Sequence, residues 1–408
     1  MRIAMPMFVV ALGCSGSSDE AQHDDTDTDV EDTDTPGDTD NPGDTDDADT
    51  DPPDEDDVWT QIVGDGFGAP IQDTVPEMEV FKGQLYIATS PTGMGIANLY
   101  RSATGDADSW TQITDFSPPL QGDKSIHSFG VTDLGGGYIW AGTGNGVFGG
   151  MVYRSADGLS WTAVFDQGFG NSDLTGTAPH MVVFQGHLYA GMGSHGEGTP
   201  GEVWRIPYDS TDPSDAELLM DFNVIDQGVQ TITYFYVWKN TLYVGTDAGG
   251  QLWESTDGVN FTQNAGVGIG FDDPTNYVLS SLVDYDDHLY ATTTNRFGGQ
   301  LWRTSDGATW EQLTADAFGK GEAVNELRSL RVSFDTLWLT AYTNTDVSLG
   351  TPIWKSVDGV NFEQSNEDGF GNVDNSGQNA VTIGFGDHQY FGGPNYVDGG
   401  QVWRSQQQ

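Results

Sequence analysis

Glu77, His127, His180, Tyr234 and Arg328 are chemically useful side chains that fall at one recurring place in the 408-residue chain, near the start of a repeated strand. Glu77, His180 and Tyr234 each stand nine residues before the aromatic of the strand that follows, as do Ser281, Ser329 and Val381. Arg328 adjoins Ser329, and His127 joins the set by pattern because the turn in its unit, LGGG, is longer. A His or a Tyr can take and return a proton and an Arg can neutralise a carboxylate, so the set could run proton abstraction beside a carboxyl group. Two His with Glu77 could instead hold a divalent ion. Arg296 and His195 complete the candidate ligand contacts. The plain alternative is that these side chains only fill and hydrogen-bond a channel mouth.

What positions them is a repeat of about fifty residues. One strand type reads LYIAT, YIWAGT, LYAGM, LYVGT, LYATT, LWLTA and QYFGG; a later one reads LYRS, VYRS, VWRI, LWES, LWRT, IWKS and VWRS. Four short antiparallel strands per unit, at this period, describe a β-propeller blade. The last unit stops at QVWRSQQQ with three strands, whereas the repeat region opens on VWTQIV, a fourth strand without a unit of its own. Pairing the two removes a free sheet edge. The expected fold is therefore all-β: a seven-bladed propeller over residues 58–408, with the N-terminal strand, Val58 to Val63, completing the last blade.

Between the third and fourth strands stand SADGLSW, STDGVNF, TSDGATW and SVDGVNF. The Asp can accept turn N–H groups, the Gly supplies a positive φ, and the aromatic packs between sheets. These turns resemble Asp-boxes, the repeats of sialidases, some xyloglucan-degrading glycosidases and sortilin-type receptors. In that family the boxes lie away from the ligand site, so the resemblance makes Asp157, Asp257, Asp306 and Asp358 structural. It also moves the search for function to the opposite face, where the fourth-to-first and second-to-third loops lie. Recurrent His187, His288 and His388 are expected to be surface turn residues, and Arg101, Arg154, Arg205, Arg303 and Arg404 to pair with neighbouring acids. Asn145, Asn295, Asn344 and Asn395 are expected to cap loops, and the GFG sequences to form loops.

Sialidase chemistry needs three converging arginines, a Tyr–Glu nucleophile pair and an acidic donor. Outside the repeated positions only Arg296, Arg328 and Arg331 remain, and Arg331 is expected to face the other side of its strand. No FRIP-like segment precedes the first unit, and sialidases have six blades. A polysaccharide lyase, a reaction that some seven-bladed propellers carry out with His, Tyr and Arg, is the better enzyme alternative. No lyase motif is matched, so ligand binding without catalysis is the preferred reading. No cofactor is expected beyond calcium held in acidic loops such as GFDDPTN and GFGNVDNSG.

Composition narrows the partners. Residues 58–408 hold 42 acids against 13 bases, a net of about −29, which repels phosphate backbones and excludes nucleic acid as the natural partner. The expected partners are an extracellular glycan or a surface protein, met by a monomer. The start, MRIAMPMFVVALGCSGSSDE, has an apolar run too short to span a bilayer, followed by the sole cysteine. It resembles a bacterial lipoprotein signal over residues 1–14, which implies lipidation of Cys14, export and retention at the outer membrane, with membrane contact through the anchor alone. Residues 15–57, built from DTD and PGDTD units, cannot offset the entropy of folding and read as an acidic tether. DTDNPG within it fails the calcium-loop pattern, because Pro42 takes the fifth place and no Glu takes the twelfth. Cys14→Ser should release the protein to the medium in a fractionation experiment; continued membrane association would refute the anchor.

Overall fold

The computed structural model describes residues 58–91, 95–113, 123–132, 137–145, 149–165, 167–170, 180–193, 199–343, 349–377 and 379–406; for 123–132, 145, 167, 170, 180 and 406 it describes the backbone alone. All belong to one compact unit, Asp54–Gln408. The signal, the tether and Cys14 therefore lie outside the described residues, as do His195 and Asn344.

The strands form five four-stranded antiparallel sheets and one eight-stranded sheet, the latter two four-strand groups joined by the single pair Thr294–Glu326. In each group the first strand lies innermost. In chain order these are Thr74–Phe81, Asp123–Thr132, His180–Phe184, Ile232–Trp238, Asn276–Tyr285, Glu326–Ser333 and Val381–Phe385. Each touches the next, and Val381–Phe385 touches Thr74–Phe81. Trp59–Val63 pairs antiparallel with Gln401–Gln406, setting Trp59 against Ser405 and Gln61 against Trp403. Fourth strands elsewhere are short: Thr111–Gln112, Thr162–Ala163, Thr262–Gln263 and Glu363–Gln364 each begin just after the aromatic expected to open them. That aromatic instead packs between sheets, as Trp310 does edge-on to Phe271 at 5.3 Å.

The alternating LYAGT pattern turns its Leu and its following small residues into the core, and sends the Tyr toward the next unit. Tyr86, Tyr189, Tyr243, Tyr290 and Tyr390 are buried, and their phenols fill the spaces where Cβ atoms would stand on Gly158, Gly258, Gly307, Gly359 and Gly105. Tyr189 and Tyr290 also donate to the Gly258 and Gly359 carbonyls at 3.0 Å. Gly359 (φ 69°) is thus fixed twice, by its left-handed backbone and by the phenol against it. The repeat breaks consistently. Before the unit that lost its Ser-Asp-Gly turn, and before the one whose fourth strand is Trp59–Val63, the Tyr is replaced by Trp140 and Trp338, both buried.

On the other side of each unit a loop Phe locks the sheets. Phe67, Phe271 and Phe370 adopt φ near +60° and stack on Tyr100, Trp302 and Trp403 with interplanar angles of 8–9°. A left-handed Phe costs on the order of 1 kcal/mol, which the buried stacked ring offsets. The Phe67 and Phe370 loops are among those that the GFG recurrences foretold; Phe271 stands in GFDDPTN.

Two expectations need correction. Arg205, Arg303 and Arg404 pair with Glu217, Glu311 and Asp106, but Arg154 donates to the Tyr208 and Asp209 carbonyls and lies over the Tyr138 ring at 4.6 Å. The residue opposite it in the fourth strand is Thr162, where Arg205 and Arg303 face Glu217 and Glu311. His187, His288 and His388 do sit at the first-to-second strand turns, yet they are half-buried; His288 and His388 lie against Tyr290 and Tyr390.

Gly359→Ala should lower unfolding stability by about 2–4 kcal/mol, combining backbone strain with overpacking, and Tyr290→Phe alone by about 1 kcal/mol. In denaturant melts the double variant should lie at least about 1 kcal/mol above the additive sum. Strict additivity would mean that phenol and glycine do not share one space.

Candidate functional site

The first strands are not regular where the candidate residues stand. Opposite the second strand, four residues, Thr74 to Glu77, face three, Ser90 to Ala88, leaving one extra residue between the paired positions. Comparable irregularities separate Ile126 from Ser128, Ile232 from Tyr234, Leu279 from Ser281, and Leu327 from Leu330. A bulge leaves a residue unpaired and re-aims its neighbours. The register places Ser128 opposite Gly142, so the aligned position of that unit is Ser128, and His127 is the inserted residue beside it.

Above these bulges lies a cavity of about 650 Å³, within the range that holds a small ligand. Glu77, Tyr234, Arg328 and Arg331 all line it, with Ser281, Ser329 and Val381 from the aligned positions. A contact between two non-adjacent first strands is the organising feature. Arg331, on Glu326–Ser333, reaches Glu77 at 3.5 Å and Glu79 at 3.9 Å on Thr74–Phe81, across the position of Val381–Phe385. Arg328 pairs with Glu326 of its own strand at 3.1 Å. Both arginines are therefore held against carboxylates, and the wall presents donors and acceptors side by side. Tyr277 and Tyr342 add aromatic surface near Glu326.

Glu77 keeps 19% of its side chain open to the cavity. Burial nevertheless raises its pKa from 4.5 to about 7; Arg331 and Arg328 oppose the rise and Glu79 adds to it. Burial likewise raises Glu79, against the pull of Arg331. Arg331 is pushed above its ordinary value because Tyr234, Glu79, Glu77 and Tyr236 together outweigh its own desolvation, so it stays cationic throughout.

The hydroxyls nearby serve the frame. Thr233 donates to the Leu279 carbonyl at 2.6 Å, Ser281 Oγ accepts from Leu330 N–H at 3.2 Å, and Thr340 donates to the Ala380 carbonyl at 2.9 Å, each a stitch between neighbouring units.

Of the expected site residues, Glu77, Tyr234 and Arg328 come together. His127 and His180 lie on first strands whose backbones alone are described. Arg296 is not part of the cavity lining; it lies exposed on its loop over the Phe297 ring at 4.7 Å. Arg331 was expected to face away and instead completes the site. Three residues apart on a flat strand, Arg328 and Arg331 would point to opposite faces, but four residues here, Leu327 to Leu330, face three on the partner, Ala341 to Leu339, and both side chains reach the cavity. The dipeptide-spaced arginines were visible in the sequence; the bulge was not.

The turn aspartates act as expected. Asp157 accepts from Leu159 and Ser160 N–H at 2.8 Å, and these bonds hold its carboxyl down at about 2. Asp257, Asp306 and Asp358 make the same pair of bonds and sit below their ordinary value. Asn295 and Asn395 cap their loops, accepting from Phe297 and Val397 N–H. The calcium reading fits poorly at GFDDPTN. Asp273 receives the Thr275 N–H and hydroxyl on one oxygen and the Gln300 amide on the other, donors where a cation would need acceptors. Among the described residues no group of three or more His, Cys, Asp or Glu is placed to hold a metal, and no helix is long and apolar enough to cross a membrane.

Repeated four-stranded antiparallel sheets, with first strands inward and a cavity at their bulged ends, define the class: this is an all-β protein of β-propeller type. Solved structures with the same architecture bear this out. A catalytically inactive virginiamycin B lyase from Staphylococcus aureus with quinupristin is 13% identical, with a TM-score of 0.57 over 86% of this chain and 99% of that one. A streptogramin B lyase is 10% identical, with a TM-score of 0.56 over 86% of this chain and 97% of that one. An ancestral GH74 enzyme is 12% identical at a TM-score of 0.55 over 82% of this chain, which spans 48% of that enzyme. No protein-family model matches the chain, and no curated protein matches it in sequence.

Because folding raises the Glu77 pKa, the native state binds its proton more tightly than the unfolded chain does. This group's contribution to stability is complete below about pH 4.5 and is lost as pH rises through about 7, on the order of 3 kcal/mol. The stability difference between the protein and Glu77→Gln, from denaturant midpoints, should shift against the native residue between pH 5 and pH 8. A difference independent of pH would contradict the assignment.

Proposed function

We propose that residues 58–408 form a seven-bladed propeller with Asp-box-like turns, closed by Trp59–Val63 in the last blade, whose channel-mouth cavity binds a glycan. The observation that carries the binding reading is the pairing of the charges lining the cavity. Arg328 with Glu326, and Arg331 with Glu77, set a donor beside an acceptor, the complement of neighbouring sugar hydroxyls. Tyr277 and Tyr342 offer ring faces, and the cavity of about 650 Å³ has room for a short oligosaccharide. A uronate or other polyanion is less well matched, since neither arginine is free of a carboxylate and the surrounding protein is acidic.

The setting of this reading is the exported, lipid-anchored protein foreseen from its first 57 residues. Cys14 holds it at the outer membrane and the acidic tether holds it off the surface, where it meets extracellular glycans or surface proteins as a monomer. One observation favours an enzyme as the second reading. Glu77, half-protonated near neutral pH beside Tyr234 and a permanent cation, is tuned as a general acid or base would be. The neighbours in fold include lyases and a glycoside hydrolase family member, and a lyase or glycosidase is the form such an enzyme would take here.

An oligosaccharide array probed with the full chain, followed by titration calorimetry, separates the two readings. Binding without turnover, weakened about tenfold or more by Arg328→Ala, is expected. New ultraviolet absorbance with a uronate polymer, abolished by Glu77→Gln, or reducing-end release from a neutral polymer, would replace binding by catalysis. No glycan binding and no turnover would overturn both.

A further inference from the structure

The loops around the cavity carry side chains that neither the repeat nor the pocket requires. Ile71, Val224, Ile269, Phe297, Val373 and Val397 stand exposed at separate loop tips; Val224 is 81% exposed, Val397 66% and Ile269 59%. Phe222 of the short helix Phe222–Ile225 is buried and carries the unit's packing against Trp253, while Val224, on the same turn, faces out. These tips share one end of the molecule with the cavity. Gly228, Tyr277, Thr294 and Asn379, which line it, lie within eight residues of Val224, Ile269, Phe297 and Val373. The loops also hold one another. Asn395 N–H donates to the Asp73 carbonyl at 2.9 Å and Gly400 N–H to the Gln72 carbonyl at 2.8 Å, joining the Val397 loop to the Ile71 loop; Gly249 N–H donates to Tyr277 at 3.1 Å beneath Ile269. The result is a rim of aliphatic tips on a hydrogen-bonded base.

At the other end, exposed Leu159, Val259 and Val360 occupy one repeated position after the turn glycine, so they follow from the repeat. Of the rim residues only Phe297 and Val397 share a position, two after a capping Asn; the others share none. Exposed apolar side chains gathered around a site mark an interaction surface. Charge then selects the partner. Asp65, Asp226, Asp272, Asp316, Asp374 and Asp398 stand exposed on the same loops, whereas the bases on these loops are Arg296 and Lys320, and Lys320 is held by Asp368 at 2.8 Å. A glycan has few branched aliphatic groups to cover such tips, and anionic headgroups would meet repulsion.

We infer that the rim docks a polypeptide segment bearing both aliphatic and basic side chains, its apolar groups on the Val224, Ile269 and Val397 tips and its basic groups on the intervening aspartates. This surface is distinct from the cavity and does not depend on the identity of the cavity's ligand.

Fluorescence anisotropy of the full chain against three short synthetic helical peptides tests it: an amphipathic Leu/Lys peptide, a Ser/Lys peptide of equal charge, and a Leu/Glu peptide of equal apolarity. The Leu/Lys peptide should bind at least about tenfold more tightly than either other, a gap of about 1.4 kcal/mol, and weaken with added salt. Val224→Asp with Ile269→Asp should cost about tenfold, and Val259→Asp with Val360→Asp less than about twofold. Thermal melts confirm that each variant folds, and Val397→Asp on a separate loop repeats the measurement should the first pair fail to fold. Equal binding of the Leu/Lys and Ser/Lys peptides would reduce the effect to general acidity and overturn the proposal. So would equal losses in the two double variants, or co-sedimentation with phosphatidylcholine vesicles that the rim substitutions abolish. Glycan binding that survives the rim substitutions separates this surface from the cavity.

Discussion

The structure depends on a phenol standing where a glycine has no side chain. In five places a second-strand tyrosine enters the next unit's turn and occupies the space a Cβ would need. Neither partner makes sense alone. The glycine satisfies a left-handed turn, in four of the five an aspartate beside it closes that turn with two N–H bonds, and the tyrosine requires the turn to be held at that height. Because each contact joins one unit to the next, small errors in one sheet's position would propagate to its neighbour. Loop phenylalanines stacked on third-strand aromatics repeat the same logic at the other end. Rigidity between units is what lets the first strands converge with their bulges level.

That level matters for chemistry. Arg331 spans from one first strand to carboxylates on another that is not its immediate neighbour, and the contact forms only if the strands keep their distance across the channel. The ion cluster in turn supplies part of the cavity wall through Glu77 and Arg331. It also places a carboxyl group of near-neutral pKa where a ligand would touch it. Glu77 thus links architecture and function: the burial that the packed units impose is the first cause of its shift. The Ser281 hydroxyl at the matching position of another unit went to a different use, stitching strand to strand, as does that of Thr233 beside Tyr234.

Much of this was legible in the sequence, for reasons of different strength. The seven copies of LYAGT-like and VWRS-like strands stated the unit, and the leftover VWTQIV foretold the pairing of Trp59–Val63 with Gln401–Gln406, because an unpaired strand and an incomplete sheet solve one problem together. Counting back from each tyrosine found Glu77, Tyr234 and the Arg328–Ser329 pair. In the second unit, placed by pattern, the reading fell one short at His127, since Ser128 pairs with Gly142, and strand alternation misjudged Arg331. Both errors have one source. A bulge adds a residue without changing residue types, so alternation read from a string of letters assigns the wrong face. Partnering followed the cross-strand register rather than the repeat: Arg205 and Arg303 face Glu217 and Glu311, whereas Arg154 faces Thr162 and turned to backbone carbonyls. The stacking partners of the phenylalanines required contacts between segments far apart in the chain.

The account stands or falls on where a ligand sits. The most direct measurement is a crystal structure of the full chain with an oligosaccharide that it binds. The account predicts density in the cavity, with sugar hydroxyls at hydrogen-bond distance from Arg328 and Glu326 and a second contact to Glu77 above Arg331. Density on the outer strands or at the Ser-Asp-Gly turns, with the cavity holding only solvent, would contradict it.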